Sequence, residues 1–555
     1  IKIRNNKNLN VNDIKINLHL LIMGIPSYFS YIIKNYSNII RNYKDIKESI
    51  FLVQYLFMDC NSIIYDEFHK MEEDIIAKNM SKEDIEKELI TNIINKISYY
   101  IRSIHPSLLV YIAFDGVAPL AKMEQQRNRR FKVTMSNKIN SYVKGNHNYL
   151  SWSTSNITPG TDFMNNLSNK IKKAFLNLEE HFNVKRIIVS GSNERGEGEH
   201  KIFQFIRNEK IEKNSHCFVY GLDSDLIMLS LFHCKYFENI YVFRETPEFS
   251  KQLISKENEN SEFLFLSIST FANAILSELN CSTCDNHRLY DYIFMCFLLG
   301  NDFLPHFPCL NIRTFGIDVL IDSYRNLIGK HVNRNFILKN MDIDWKNVFL
   351  FLHELSKNEH NRLLNEYDTK DKHSRRKWKV DNENDRSLTI QSVPVVYRSD
   401  ELYICPSENY WEYRYYKTLF PEKVTIKDVC INYLEGLEWV FKYYTCNCPN
   451  WKWKYNYHYP PLMKDIIKYI PKKNTNFIVN NDHSFSEFVQ LAYVLPSYYH
   501  YLLPGNIEEK LSEFKDIYYN ENIDFQWAFC RYFWECHACL PNIPLVQLEK
   551  WNKEF

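Results

Sequence analysis

No charge of one sign dominates this 555-residue chain: 68 Lys and Arg face 67 Asp and Glu, for a net charge of +1. A uniformly basic field is excluded, so any affinity for nucleic acid must come from local patches. Long hydrophobic runs are also missing. The longest, Phe263 to Leu276, is too short to span a bilayer and carries Ser, Thr and Asn, so no membrane segment is expected. No internal repeat of fixed period is present. The 14 cysteines are scattered, and no secretory leader accompanies them. Cys281 and Cys284, and Cys536 and Cys539, have knuckle-like spacing, with Cys446 and Cys448 between them. No pair has a partner at zinc-finger distance, so these read as buried, reduced thiols of an intracellular protein, cytoplasmic with nuclear as the alternative. The chain begins without Met, and residues 1–22 are polar and rich in Asn and Lys. They are expected to form a poorly ordered extension before a start at Met23.

What is present is a recurring pattern of apolar runs that end in acids. Cys217-Phe218-Val219-Tyr220 reads as a buried strand, broken by Gly221 and followed by Asp223 and Asp225. Tyr55 to Met58 ends at Asp59, and Leu109 to Phe114 ends at Asp115. Arg186 to Ser190 leads into Glu197 and Glu199. The helix-like run Tyr292 to Leu299 stops at Gly300 and delivers Asp302. Helix-length segments separate the strands, which predicts an α/β fold with a mainly parallel central sheet flanked by helices. Strand C-termini in such a sheet share one edge, where ligands bind. That edge would collect all seven carboxylates. Taken singly, each acid could be a helix N-cap or a solvated loop residue. Together they would repel one another unless cations neutralised them. Oxygen ligands without His or Cys favour Mg²⁺ or Mn²⁺, and two such ions suit in-line phosphoryl transfer.

After Asp115 the chain turns into AKMEQQRNRRFK. Lys122, Gln126, Arg129 and Arg130 fall at i, i+4, i+7 and i+8, on one helix face. Three cations and an amide on one stripe form a candidate phosphate pocket. An ordinary charged face would mix signs, whereas the only acid here, Glu124, lies off the stripe. Residues 23–330 thus read as a first, chemistry-bearing domain. Residues 331–392 are expected to be a linker or insertion, because Asp368 to Ser387 is charged and Asn-rich; KDKHSRRKWK within it is a solvated linker or an RNA-contacting or nuclear-import patch. Residues 393–555 form a second, aromatic-rich region. Its run Trp451-Lys-Trp453-Lys-Tyr455-Asn-Tyr457-His-Tyr459 alternates aromatic and basic residues, as stacking on bases beside phosphates requires, and as an aromatic core would also show.

Several long motifs are similar to those of the XRN-type 5′→3′ exoribonucleases. They are MGIPSYFSYI from Met23, FMDCNSIIY from Phe57, FDGVAPLAKMEQQRNRRFK from Phe114, ITPGTDFM from Ile157, ERGEGEHKIFQFIR from Glu194, YGLDSDLIML from Tyr220 and LLGNDFLPHFP from Leu298. Their order and spacing agree, and the Trp451 to Pro461 run and Phe488 to Pro496 resemble the family's second conserved region. The resemblance implies a nuclease core of PIN and flap-endonuclease type, with a largely helical second region packed around it. It implies two divalent metals and processive removal of mononucleotides from decapped, 5′-monophosphorylated single-stranded RNA by a monomeric enzyme of RNA decay. The seven acids match the family's metal positions, and Lys122, Gln126, Arg129 and Arg130 match its 5′-phosphate pocket. The resemblance also implies base stacking on Tyr65, where the family usually has His, and on Trp451 or Trp453. Two other readings of the residues are a structure-specific flap-type DNA endonuclease and an inactive RNA-binding scaffold.

Overall fold

The computed structural model describes residues 27–555 except 51, 145–151, 213, 222, 247–261, 280–285, 376–382, 474 and 521–522. The extension before Met23, Met23 itself, Cys281, Cys284 and the last four residues of KDKHSRRKWK, Arg376 to Lys379, lie outside the described residues.

Seven strands form the central sheet: β1 (Ile40–Arg41), β2 (Tyr55–Asp59), β3 (Leu109–Ala113), β4 (Arg186–Ser190), β5 (His216–Tyr220), β6 (Asn239–Glu245) and β7 (Phe263–Ser267). Their order is β1-β7-β6-β5-β2-β3-β4. The five strands β6-β5-β2-β3-β4 are parallel, while β7 pairs antiparallel with both β6 and β1. The chain runs from β2 outward through β3 and β4, then returns to the other side of β2 as β5 and β6. The topological switch point therefore lies between β2 and β5, where an open α/β sheet leaves a crevice at its strand C-termini.

Strands β2, β3 and β5 are almost continuously apolar because both faces of a parallel sheet are covered. Alternation still decides which face each residue serves. Tyr55, Phe57, Tyr111, Cys217 and Val219 join one core. Leu56, Met58, Val110, Ile112, Phe218 and Tyr220 join the other. The first core runs on without a break into the second region, through Tyr433, Leu437 and Trp439 of the helix Ile426–Thr445. Among the described residues, no helix is long and apolar enough to cross a membrane.

The apolar run Phe263 to Leu276 divides into β7 and the helix Ile268–Glu278, because the Ser267 hydroxyl accepts the Thr270 N–H and caps the helix. Residues 331–392, expected to be a linker or an insertion, carry helices that pack on the main core. They contain the helices Trp345–Ser356, Glu359–Ser374 and Glu383–Gln391, and Trp345 and Phe351 are each 1% exposed in the main core. The helix Glu359–Ser374 buries only Glu359 and Leu363, so its sequence has the composition of a solvated segment while its backbone is helical.

The helix Leu120–Lys144 is polar over most of its length, with Leu120, Met123 and Phe131 among its buried apolar contacts, which suits an element that bridges two bodies. Its outer face carries Arg127, 1% exposed, whose guanidinium donates to the Pro541 carbonyl (2.9 Å) and the Tyr518 carbonyl (3.0 Å). The Gln490 side chain accepts the Ala118 N–H at 2.8 Å. Arg127→Ala leaves two carbonyls without partners and removes a buried side chain, at a cost of about 3 kcal/mol. Thr161→Ala removes the N-cap of the helix Asp162–Ala174 and the hydroxyl's donation to the Asn156 and Thr158 carbonyls, at a cost of about 1–2 kcal/mol. Thermal melting should rank Arg127→Ala below Thr161→Ala and both below wild type; equal melting of Arg127→Ala and wild type would show that the helix does not depend on this clamp.

Candidate active site

The seven acids converge. Asp59 closes β2, and Asp115 follows β3 by two residues. Glu197 and Asp223 occupy the N-cap positions of the helices Gly198–Asn208 and Ser224–His233, yet neither side chain caps its helix. Both carboxylates are used elsewhere, so capping does not account for them. The N–H of Gly198 instead donates to Asp115 Oδ1 at 2.7 Å. A Cβ at Gly198 would stand 2.5 Å from Asp59 Oδ1, so only glycine lets this helix end approach the acids. Asp302 arrives beyond the turn at Gly300, whose φ of +86° suits glycine.

Lys122 holds the cluster together. Its ammonium lies 2.5 Å from Glu197 Oε2 and 2.7 Å from Asp302 Oδ2, with side-chain exposure of only 8%. Burial alone would lower its pKa, but Asp302, Glu197 and Glu199 carry it well above the usual lysine value. Burial raises the carboxyls in turn, and like charges add to it. Asp59 is pushed well up by burial and then by Asp115 and Asp223, Glu199 by burial and then by Asp225, and Asp225 by burial and then by Asp302. For Asp223, burial outweighs the opposing Lys122 charge, and its pKa is raised to about 7.

Three buried carboxylate oxygens, Asp59 Oδ1, Glu199 Oε2 and Asp225 Oδ1, have no hydrogen-bond partner. One oxygen each from Asp59, Glu199 and Asp223 lies within 4.8 Å of the others. Unpartnered, crowded carboxylate oxygens with no sulfur among them are a donor set for a hard divalent cation.

The helix stripe and the acids line one cavity of about 50 Å³, whose wall includes Lys122, Gln126, Arg129, Arg130, Tyr65, Asp59, Asp115, Glu197, Glu199 and Asp223. Arg130 donates to Thr158 Oγ1 at 2.5 Å, and burial lowers its pKa to about 10. Gln126 Oε1 is buried there without a partner. Trp451 and Trp453 are not brought to this cavity. Trp453 stacks on Trp439 (5.3 Å, 24°) and donates to Glu435 Oε2 at 3.2 Å, while Trp451 lies beneath the Arg195 guanidinium, 5.0 Å from its ring. Both are buried, 9% and 7% exposed, because the aromatic run packs as core instead of presenting open ring faces.

Four contributors were not anticipated. Asn61 donates from Nδ2 to Asp115 Oδ2 (2.6 Å) and accepts the Asp115 N–H (3.0 Å), fixing that carboxylate. Tyr443, from the second region, donates to Glu197 Oε1 at 2.7 Å. Its neighbour Tyr444 hydrogen-bonds Asp225. His200 stacks on Tyr443 at 3.6 Å and is held neutral by burial and by Lys122. The only sequence signals were the Asn after Asp59 and the His inside GEGEHK.

A parallel α/β sheet whose switch point carries a cation-seeking acid cluster, beside an Arg-lined helix face, defines a class of enzyme core built for phosphoryl chemistry. Residues 23–246 match the family described as XRN 5'-3' exonuclease N-terminus, and residues 283–401 and 398–554 match the Xrn1 helical domain. The chain belongs to the XRN exoribonuclease family. It is 28% identical to human 5'-3' exoribonuclease 1 over 87% of its length and 26% identical to the Saccharomyces cerevisiae 5'-3' exoribonuclease 1, also over 87%. Against the Saccharomyces cerevisiae 5'-3' exoribonuclease 2 it is 30% identical over 56%. The chain spans 31%, 40% and 36% of the lengths of these three relatives.

Raised carboxyl pKa values fix the sign of a pH effect. Without metal, the folded state holds protons that the unfolded chain has released. Stability therefore falls as pH rises from the ordinary carboxylate range through the folded value, about 7 for Asp223. A divalent cation must displace those protons, so its affinity rises with pH over the same window. Mg²⁺ should raise the melting temperature more at about pH 8 than at about pH 6 and release protons in calorimetry. Equal stabilisation at both pH values would show the acids already ionised in the free protein.

Proposed function

We propose that the chain is a processive, metal-dependent 5′→3′ exoribonuclease that removes mononucleotides from 5′-monophosphorylated single-stranded RNA, acting as a monomer in RNA decay, in the cytoplasm or alternatively the nucleus. The observation that carries this reading is a narrow cavity lined together by five of the acids (Asp59, Asp115, Glu197, Glu199 and Asp223), the helix stripe and Tyr65. A space of about 50 Å³ admits a phosphoryl group end-on and excludes a duplex. RNA as the substrate is supported by what the relatives' names say they act on.

In this reading Gln126, Arg129 and Arg130 hold the 5′-phosphate, with charge-assisted hydrogen bonds from the two guanidinium forks. Lys122 borders the same cavity and orients Glu197 and Asp302. Tyr65, on the wall, offers a ring to the first base. Asp59, Asp115, Glu197, Glu199, Asp223, Asp225 and Asp302 would hold two Mg²⁺ or Mn²⁺ ions. When bound, such ions stabilise the attacking and leaving oxygens of an in-line phosphoryl displacement. Asn61, Tyr443 and Tyr444 keep the carboxylates oriented by donating to Asp115, Glu197 and Asp225.

The test uses three end-labelled RNAs, bearing 5′-hydroxyl, 5′-monophosphate or 5′-triphosphate, at matched salt because phosphate contacts are salt-sensitive. The monophosphate should be degraded and the other two largely spared, and EDTA should stop the reaction. The double variant Arg129→Ala, Arg130→Ala should lower monophosphate activity to the 5′-hydroxyl level. Equal cutting of all three by wild type, or a retained preference in the double variant, would remove the stripe from end recognition. Asp225→Asn should lose degradation by at least about a hundredfold while RNA binding persists, since it removes a carboxylate from the cluster. Near-normal turnover in that variant would remove Asp225 from the chemistry.

A further inference from the structure

A second, larger cavity of about 270 Å³ lies on the other side of the helix Leu120–Lys144. Arg129 lines both cavities, and the Lys122–Asp302 ion pair stands between them, since Lys122 borders the first and Asp302 the second. Nothing in the catalytic scheme above uses this space. Its volume approaches the lower end of small-molecule sites, roughly 300–1,000 Å³.

The lining combines three chemistries. Apart from Glu535 Oε1, which meets the Arg313 guanidinium at 2.7 Å, four buried polar atoms on its lining residues have no hydrogen-bond partner: the acceptors Gln125 Oε1 and Asn128 Oδ1, the donor Asn301 Nδ2, and the Tyr459 hydroxyl. Buried polar groups are normally satisfied, so this mixed set calls for a ligand or ordered water with donors and acceptors of its own. Aromatic surfaces surround them, among them Tyr457, Phe529, Trp534 and His458, the last already stacked on His537 at 5.0 Å. Four of the charged groups cancel in two pairs, Arg313 with Glu535 (2.7 Å) and Lys454 with Glu124 (2.5 Å). Lys132 does not: its ammonium donates to the Trp534 carbonyl at 2.8 Å and, among the described residues, pairs with no carboxylate. It follows Arg129 by three residues, so the two cations share a helix face.

Ring faces for a base, amides for its polar edge and cations for a phosphate are together the recognition set of a nucleotide. We propose that this cavity binds a nucleoside 5′-monophosphate. Resting on the exonuclease reading, that ligand is the released product, held on its way out while the remaining RNA occupies the catalytic cavity. Arg129 is the shared contact through which the phosphate passes from the Arg130 side of the helix to the Lys132 side. A product that leaves without displacing the RNA from the catalytic cavity needs a second space beside it.

The experiment is titration of the full chain with adenosine and uridine 5′-monophosphates, by calorimetry and saturation-transfer NMR, with and without Mg²⁺, alongside uridine and inorganic phosphate as half-ligands. Saturable binding of the monophosphates that does not require Mg²⁺ and exceeds that of either half-ligand is the expected result. Lys132→Met should weaken it about tenfold through loss of a charge-assisted contact. Tyr457→Ala, at a half-buried ring on the edge of the core, should weaken it about fivefold or more through lost stacking, with melting of the variant measured alongside as the control for folding. Arg130→Ala should leave it within about twofold, as that side chain faces the other cavity. Three outcomes overturn the proposal: no saturable binding at millimolar ligand, binding indifferent to both cavity variants, or binding lost in Arg130→Ala and kept in Lys132→Met. Degradation of 5′-monophosphorylated RNA is measured on the same wild-type preparation. Degradation without mononucleotide binding removes the cavity's role and leaves the enzyme, whereas binding without degradation removes the exonuclease reading and leaves the cavity its ligand.

Discussion

The buried ammonium of Lys122 is the interaction on which the site depends. It joins Glu197, brought by one helix start, to Asp302, which lies 180 residues further along the chain than Lys122. Without it, two carboxylates would be buried side by side with nothing to offset their charge, and breaking such a pair typically costs about 3–5 kcal/mol. One ammonium cannot balance seven acids. The unpartnered oxygens of Asp59, Glu199 and Asp225 show where the balance is incomplete, and Asp59 and Glu199 each bring an oxygen to the group with Asp223 that could hold a cation. Lys122 therefore sets the boundary between the part of the cluster that the protein neutralises itself and the part that it leaves to metal.

The acids were legible in the sequence because each ends an apolar run, and a parallel sheet turns that local pattern into a shared edge. Strands β2, β3 and β5 were legible for the same reason. The antiparallel side of the sheet was not. Strand β6 carries the buried Arg244, which interrupts its apolar pattern, and β7 passes into a helix with no Gly or Pro between them. The tryptophans show the limit of composition: an aromatic and basic alternation reads the same whether the rings face solvent or pack on Trp439. Tyr443 and Tyr444 were invisible for a related reason. In the helix Ile426–Thr445 they continue a buried aromatic face, and only the fold brings their hydroxyls to acids more than 200 residues away.

Those two hydroxyls make the second region part of the site rather than a shell around it. A donor to an ionised carboxylate favours the charged form, so the Tyr444 hydroxyl opposes the effect of burial on Asp225. The same helix closes the apolar core beneath the sheet through Tyr433, Leu437 and Trp439. Packing of the second region and orientation of the acids are therefore one event, and the first region alone would present its carboxylates without two of the donors that hold them.

The helix Leu120–Lys144 explains how a polar segment can be so firmly placed. It contributes Ala118, Leu120 and Met123, at and just before its start, to a third apolar cluster with Val489, Leu491 and Trp551 from the C-terminal segment. Beyond that first turn its stability comes from polar contacts in three directions. Lys122 reaches the acids, Glu124 pairs with Lys454 and is held down to about 2 against the pull of burial, and Arg127 is bound by two carbonyls. Each contact is buried, so each would be expensive to leave unmade, and the helix has one rotation and one depth that satisfy all three. That constraint is what points Gln126, Arg129 and Arg130 at the acid cluster, while Gln125, Asn128 and Lys132 line the opposite cavity.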